Sequence, residues 1–237
     1  MHQGDFIWAD LSTYNTSKSI EYYRSVFNWE IVSNEGYHIL TNHEAVIGGL
    51  YETPAFFQKI KMPHFWMSYF QVQSVSDTTR IAESLGGKVE LSDIPFYNGH
   101  IALIRDPMGA GFTIYEGQDL QLGTSTLNQP LLKTELHTSN LKKVKPFYSE
   151  IFNWNCVEVE RDTYQVLINQ QESNIRLREI PNDLKGKYEY WVITVQLEEI
   201  DKIKDRIIGQ GGRVIENEGN RILVSDNSNE AFFYIEP

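Results

Sequence analysis

The stretch SIEYYRSVFNW, residues 19–29, returns 125 residues later as VKPFYSEIFNW, residues 144–154. In the first copy Ile20, Tyr23 and Phe27 fall at i, i+3 and i+7, which lays one apolar stripe along a helix. In the second, Leu141, Val144, Tyr148 and Ile151 do the same. The same offset carries Leu11-Ser12-Thr13 onto Leu136-His137-Thr138, Trp66 onto Trp191, and Gly86-Gly87-Lys88-Val89 onto Gly211-Gly212-Arg213-Val214. Four echoes in a single register describe one domain present twice.

Each copy divides again. Ile7, Ala9 and Leu11 alternate with Trp8, Asp10 and Ser12, the period-2 signal of a strand with two unlike faces. Asn15, Thr16 and Ser17 offer a cap for the helix that follows. Short β-rich runs come next, around 29–32, 37–41 and 45–51. A second strand and helix then occupy about 65–72 and 75–85, with strands at 88–91, 100–105 and 112–115. That second helix stops at Gly86-Gly87, which suit a left-handed C-terminal cap. The second copy repeats the order, so the pattern predicts an α+β chain of four βαβββ units. The boundaries are a first domain at 1–117, a polar connection at 118–130 containing Gly123 and Pro130, and a second domain at 131–237.

Composition narrows the partners. A net charge of −11 over 237 residues argues against nucleic acid, whose phosphates require clustered Lys and Arg. No apolar run approaches 18 residues and the N-terminal residues lack a signal-peptide pattern, so the expectation is a cytoplasmic protein that engages no membrane. The single cysteine, Cys156, has no internal disulfide partner and fits a reducing compartment. It reads as a small core residue, with a reactive thiol as the alternative.

The two helix motifs, the loop SLGGKV (84–89) and Asp106-Pro107-Met108-Gly109-Ala110 together resemble the vicinal oxygen chelate superfamily, which includes glyoxalase I, extradiol dioxygenases and the bleomycin- and fosfomycin-resistance proteins. The resemblance implies two tandem glyoxalase-like domains, each a cupped mixed sheet with helices on its outer face and a small-molecule site within. It also implies a divalent metal held by about four His or Glu side chains. Carried over by position, the first-copy ligand sites fall on Trp8, about Gly48, Met67 and Thr113, and those of the second copy on Lys133, about Arg176, Val192 and Phe233. None suits a hard or borderline cation, which takes oxygen and imidazole donors. The expectation is therefore no cofactor and no metal residue, with a divalent metal entering only under a rival reading.

The cup faces offer other chemistry. Trp8, Asp10, Met67, Tyr69 and Gln71 share one side of their strands, and the segment Phe96-Tyr97-Asn98-Gly99-His100 could close over them. Aromatic walls with a few polar groups describe a ligand pocket, and equally a filled core. In the second copy Lys133, Glu135 and His137 alternate onto one face. A carboxylate beside an imidazole is a proton relay, which makes Glu135 and His137 the catalytic candidates; a solvated face with Lys133 and Glu135 neutralising each other is the plainer alternative. Lys133 with Arg176 and Arg178 would favour an anion. Asp106 opens a β-turn and should bind backbone amides. The ligand-binding set is thus Trp8, Asp10, Met67, Tyr69, Tyr97, His100, Lys133, Glu135 and His137. Two functions follow: a metal-free binder of a small organic molecule, or a lyase, isomerase or dioxygenase with relocated donors. The chain would act as a monomer or homodimer.

Overall fold

The computed structural model describes residues 1–43, 45–123 and 132–237, so that residues 124–130 of the expected connection lie outside the described residues. The first copy forms β1 (Phe6–Thr13), α1 (Thr16–Phe27), β2 (Glu30–Asn34), β3 (Tyr37–Asn42), β4 (Ala45–Glu52) and a short α2 (Ala55–Lys59). It continues with β5 (Phe65–Gln71), α3 (Val75–Ser84), β6 (Lys88–Phe96), β7 (Gly99–Arg105) and β8 (Gly111–Glu116). The second copy forms β9 (Leu132–Thr138), α4 (Leu141–Phe152), β10 (Asn155–Glu160), β11 (Thr163–Ile168) and β12 (Gln171–Glu179). Its second half is β13 (Tyr190–Gln196), α5 (Ile200–Gly209), β14 (Arg213–Glu218), β15 (Arg221–Ser225) and β16 (Phe232–Glu236).

Each copy contributes one eight-stranded mixed sheet, ordered β2-β3-β4-β1-β5-β8-β7-β6 and β10-β11-β12-β9-β13-β16-β15-β14. The α+β reading with four βαβββ units holds. In each unit the first and last strands run parallel: Asp10 pairs with Gly49, Tyr69 with Thr113, Glu135 with Arg176, and Thr194 with Tyr234.

The helices start and stop where local chemistry requires. The Asn15 side chain accepts from the Lys18 amide at 3.0 Å, and its counterpart Asn140 accepts from Lys143 at 3.1 Å. Both helices end on an asparagine in the left-handed region, Asn28 and Asn153, each at φ 57°. Gly86 adopts φ 85° at the end of α3, as its position predicts. Two elements depart from the pattern. Pro54 introduces α2, where Ala55-Phe56-Phe57 carries no helical stripe. Strand β6 runs five residues past Leu91, because register shifts near Leu91 and a left-handed Asp93 break the alternation by which a strand is read.

By contacts the chain forms two compact units, and each draws on both copies. The first comprises residues 1–7, 68–121 and 134–192. Its core centres on α4, where Tyr148 stacks on Trp154 at 5.4 Å and takes the Trp191 indole N–H at 3.1 Å. The Tyr148 hydroxyl donates to Asp106 Oδ2 at 3.0 Å. As expected of the turn, Asp106 Oδ1 accepts from the amides of Met108, Gly109 and Ala110 at 2.8, 2.8 and 3.0 Å. The second unit comprises residues 8–67, 122–133 and 193–237. There Tyr23 of α1 stacks on Trp29 at 5.5 Å, takes the Trp66 N–H at 3.1 Å and reaches Asp226 at 3.5 Å. The repeated aromatic–Tyr–Asp arrangement is thus a core device that occurs once in each unit.

All eight residues of β1 are buried, the polar face of Asp10 and Ser12 included. Side chains with hydrogen-bond partners of their own fill that face.

Candidate functional site

In the second unit, β1 places Trp8 and Asp10 two residues apart and therefore on one side of the strand. The Trp8 indole N–H donates to Asp10 Oδ1 at 2.7 Å and lies 2.9 Å from the Tyr37 hydroxyl, which itself donates to Asp10. Asp10 is 1% exposed, so these donors keep a buried carboxylate solvated by protein. Tyr51, stacked against Tyr37, is pushed up to about 12 by burial and then by the charge of Asp10. Tyr37 had no signal in the sequence, since its partner lies 27 residues away.

In the first unit, β9 brings Glu135 and His137 together. His137 Nε2 lies 2.6 Å from Glu135 Oε1, and Nδ1 lies 2.9 Å from the Tyr190 hydroxyl. Glu135 is 3% exposed and His137 5%. With Glu135 ionised, Nε2–H donates to it and leaves Nδ1 to accept from the half-buried Tyr190, so phenol, imidazole and carboxylate form one chain along which a proton can move. Tyr190 was the missing member. It lies two residues before Val192 on β13 and hence on the same face as that ligand-count position, although spacing along β13 alone does not say that this face meets His137.

The remaining candidates separate. Lys133 pairs with Glu236 at 2.6 Å. The Tyr69 ring lies 6.1 Å from Phe96, which packs edge-on against Tyr97 at 5.0 Å; Tyr97 is 53% exposed. His100 contacts Asp93 at 2.7 Å at a half-exposed position on the outside of β7. Met67 is half-buried on β5. Arg176 Nε lies 3.3 Å from Gln165 Oε1. The Cys156 thiol is pushed up by burial, opposed by Lys145, and this disfavours the reactive thiolate.

The positions at which the resemblance implies metal ligands have other occupants. Trp8 can only donate, and it does so to Asp10 and Tyr37. A side chain at Gly48 would collide with the Ala9 carbonyl oxygen. Thr113 is a buried hydroxyl, and Val192 and Phe233 are buried and apolar. Among the described residues no three of His, Cys, Asp or Glu converge as a metal site would require. These side chains do not fit a divalent cation.

Residues 6–114 match the family model of the Glyoxalase/Bleomycin resistance protein/Dioxygenase superfamily. The match covers the first copy, a little under half of the chain. Two curated relatives, each named "Putative glyoxylase CFP32", from Mycobacterium bovis and Mycobacterium tuberculosis, are 31% identical over 118 residues. That match spans 47% of this chain and 43% of the relatives, less than half of their length. Among solved structures, the Mn(II)-bound glyoxalase from Novosphingobium aromaticivorans superposes with a TM-score of 0.63 at 12% identity, over 100% of this chain and 83% of that one. Homoprotocatechuate 2,3-dioxygenase from Brevibacterium fuscum, in complex with 3,4-dihydroxyphenylacetate, does so with 0.63 at 14%, over 98% and 81%. At such identities the likeness shows the fold alone, and that fold runs through both copies.

Proposed function

We propose that this superfamily member binds a small organic molecule and holds no metal at the inherited positions. The observation that carries the reading is Trp8: an indole stands where a ligand belongs, and its only polar atom is already spent on Asp10 and Tyr37. The collision at Gly48 supports it, since no side chain fits there. The acidic composition and lone cysteine support a cytoplasmic protein that engages neither nucleic acid nor membrane, as monomer or homodimer. Among the described residues no helix is long and apolar enough to cross a membrane.

Elemental analysis after equilibration with Mn(II), Fe(II) and Zn(II), followed by gel filtration, tests the metal claim. The expected result is well below one metal per chain. One tightly held metal per chain, lost in Asp10→Ala or His137→Ala, overturns it. Binding is tested by thermal shift with catechol, 3,4-dihydroxyphenylacetate and bleomycin, of which at least one should raise the melting temperature in a dose-dependent way.

The Glu135–His137–Tyr190 chain favours a second reading, a lyase, isomerase or dioxygenase with relocated groups. Under that reading His137 is the proton carrier, and His137→Gln should abolish turnover while leaving ligand-induced stabilisation intact.

A further inference from the structure

Strand registers in the second sheet line up two rows of side chains on one face of β10, β11, β12 and β9. One row runs Val157, Gln165, Arg176 and Glu135, and the next runs Glu160, Thr163, Arg178 and His137. Helix α4 covers the opposite face, where Tyr164 pairs with Leu177 and the Lys145 ammonium sits 3.7 Å over the Tyr164 ring. All of these residues belong to the unit made of residues 1–7, 68–121 and 134–192.

Arg176 sets the chemistry of the uncovered face. It is exposed, and its Nε donates to Gln165 Oε1 at 3.3 Å. Gln165 is buried and its Nε2 donates to the carbonyls of Ser173 at 2.7 Å and Ile175 at 3.1 Å, so the amide cannot turn over without setting its oxygen against two others. The oxygen is thereby fixed toward Arg176 and holds the guanidinium by its inner end. Among the described residues the two Nη nitrogens meet no acceptor. A planar fork held in this way loses less freedom when it takes a ligand than a loose side chain does. The device belongs to the second copy alone: in the first, Asp10 pairs with Gly49, where a Cβ would fall on the Tyr37 hydroxyl.

We infer that this face binds a small organic carboxylate, its two oxygens on the Arg176 Nη nitrogens and its apolar part toward Val157. The inference rests on the small-molecule reading above and names the class of molecule. A guanidinium takes a carboxylate through two parallel N–H···O bonds, which a neutral amide or alcohol cannot match. Arg178, on the same face one row on, adds a second positive charge and disfavours a cation. The Glu135 carboxylate is only 3% exposed and lies 2.6 Å from His137, so a ligand arriving from solvent meets the guanidinium first. Val157 is 50% exposed and stands two strands from Arg176, about 10 Å away, which leaves room for one ring or a short chain between them.

The test is a titration of the ¹⁵N-labelled full chain with phenylacetate, benzoate and hexanoate, read at the Arg176 Nε–H and the Val157 backbone amide. Phenylacetamide is the uncharged control, inorganic phosphate the control for charge alone, and the Nε–H of the exposed Arg161 the control for ion pairing at any arginine. At least one carboxylate should shift Arg176 and Val157 saturably, bind at least tenfold more tightly than phenylacetamide and phosphate, and leave Arg161 unmoved. The affinity, read at Val157, should fall at least tenfold in Arg176→Gln and at least threefold in Arg176→Lys, which keeps the charge and loses the fork; both changes are at an exposed position and leave the core intact. No saturable shift with any of the three carboxylates overturns the inference, as do equal shifts at Arg161, equal affinity for phenylacetamide or phosphate, or undiminished affinity in Arg176→Gln. Stabilisation by catechol without a carboxylate response at Arg176 also overturns it, while leaving the small-molecule reading in place.

Discussion

Tyr148→Phe removes one hydroxyl and two buried hydrogen bonds at once. The Trp191 indole N–H, now 3.1 Å from that oxygen, loses its acceptor inside the core, which costs about 1–3 kcal/mol. The bond to Asp106 at 3.0 Å is also lost, and a hydrogen bond to a charged group contributes about 1.5–3 kcal/mol. The two losses share an atom and do not add fully, so the expected cost is about 3 kcal/mol. For a chain of this size that corresponds to a drop in melting temperature of about 6–12 °C. The second unit supplies an internal comparison. Tyr23 makes the same bond to Trp66 at 3.1 Å, but its contact with Asp226 is stretched to 3.5 Å, at the edge of hydrogen bonding. Tyr23→Phe should therefore cost about 2 kcal/mol, chiefly the orphaned indole. Burial holds both hydroxyls protonated well above the ordinary tyrosine value, so they donate across the whole working pH range. Urea denaturation followed by tryptophan fluorescence and far-UV circular dichroism gives both numbers, provided that the slope with denaturant is unchanged. If Tyr148→Phe costs less than about 0.5 kcal/mol, or Tyr23→Phe costs as much as Tyr148→Phe, the bonds are not working as their geometry indicates.

Three further outcomes are expected. Burial raises the carboxyls of Asp106 and Asp226 above the ordinary value of 3.8, so the folded state binds those protons more tightly than the unfolded chain. Their contribution is complete below 3.8 and is lost as pH rises through the folded value. The stability advantage of wild type over Asp106→Asn, followed by urea midpoint from low pH to neutrality, should accordingly shrink as pH rises; growth with pH would contradict the sign. Gly48→Ala forces a methyl onto the Ala9 carbonyl and should cost about 1–3 kcal/mol by calorimetry. Gly209→Ala, with nothing within 4 Å, should change stability by less than about 0.5 kcal/mol. Removing the imidazole in His137→Ala deprives a carboxylate that is 3% exposed of its 2.6 Å partner, and should cost about 3–5 kcal/mol, whereas Lys133→Ala, at a part-exposed pair, should cost about 1 kcal/mol or less.

The repeat, the helices of both copies and their stops were legible because their signals are contiguous: an apolar stripe at helical spacing, an asparagine cap, a glycine after the last turn. The turn at Asp106 was legible for the same reason, since the three amides its Oδ1 accepts from lie within four residues. The inadequate donors at Trp8, Met67 and Thr113 could also be seen in the sequence, because whether a side chain can ligate is a property of that residue alone.

The partners of the polar groups could not be read that way. Asp10 meets Tyr37, 27 residues on, and His137 meets Tyr190, 53 residues on, through strand registers that no local pattern encodes. Glu135 turns to His137 while Lys133 turns to Glu236, 103 residues away, although alternation alone put all three on one face. The compact units follow the same logic. Sequence similarity marks off copies, but contacts join residues 68–121 to 134–192 and residues 8–67 to 193–237, because each apolar helix stripe is buried against whichever strands the folded chain brings to it. Order along the chain determined what this protein is made of; long-range packing, in which the entropy of closing a loop is repaid only by contacts at its ends, decided which of its polar groups work together.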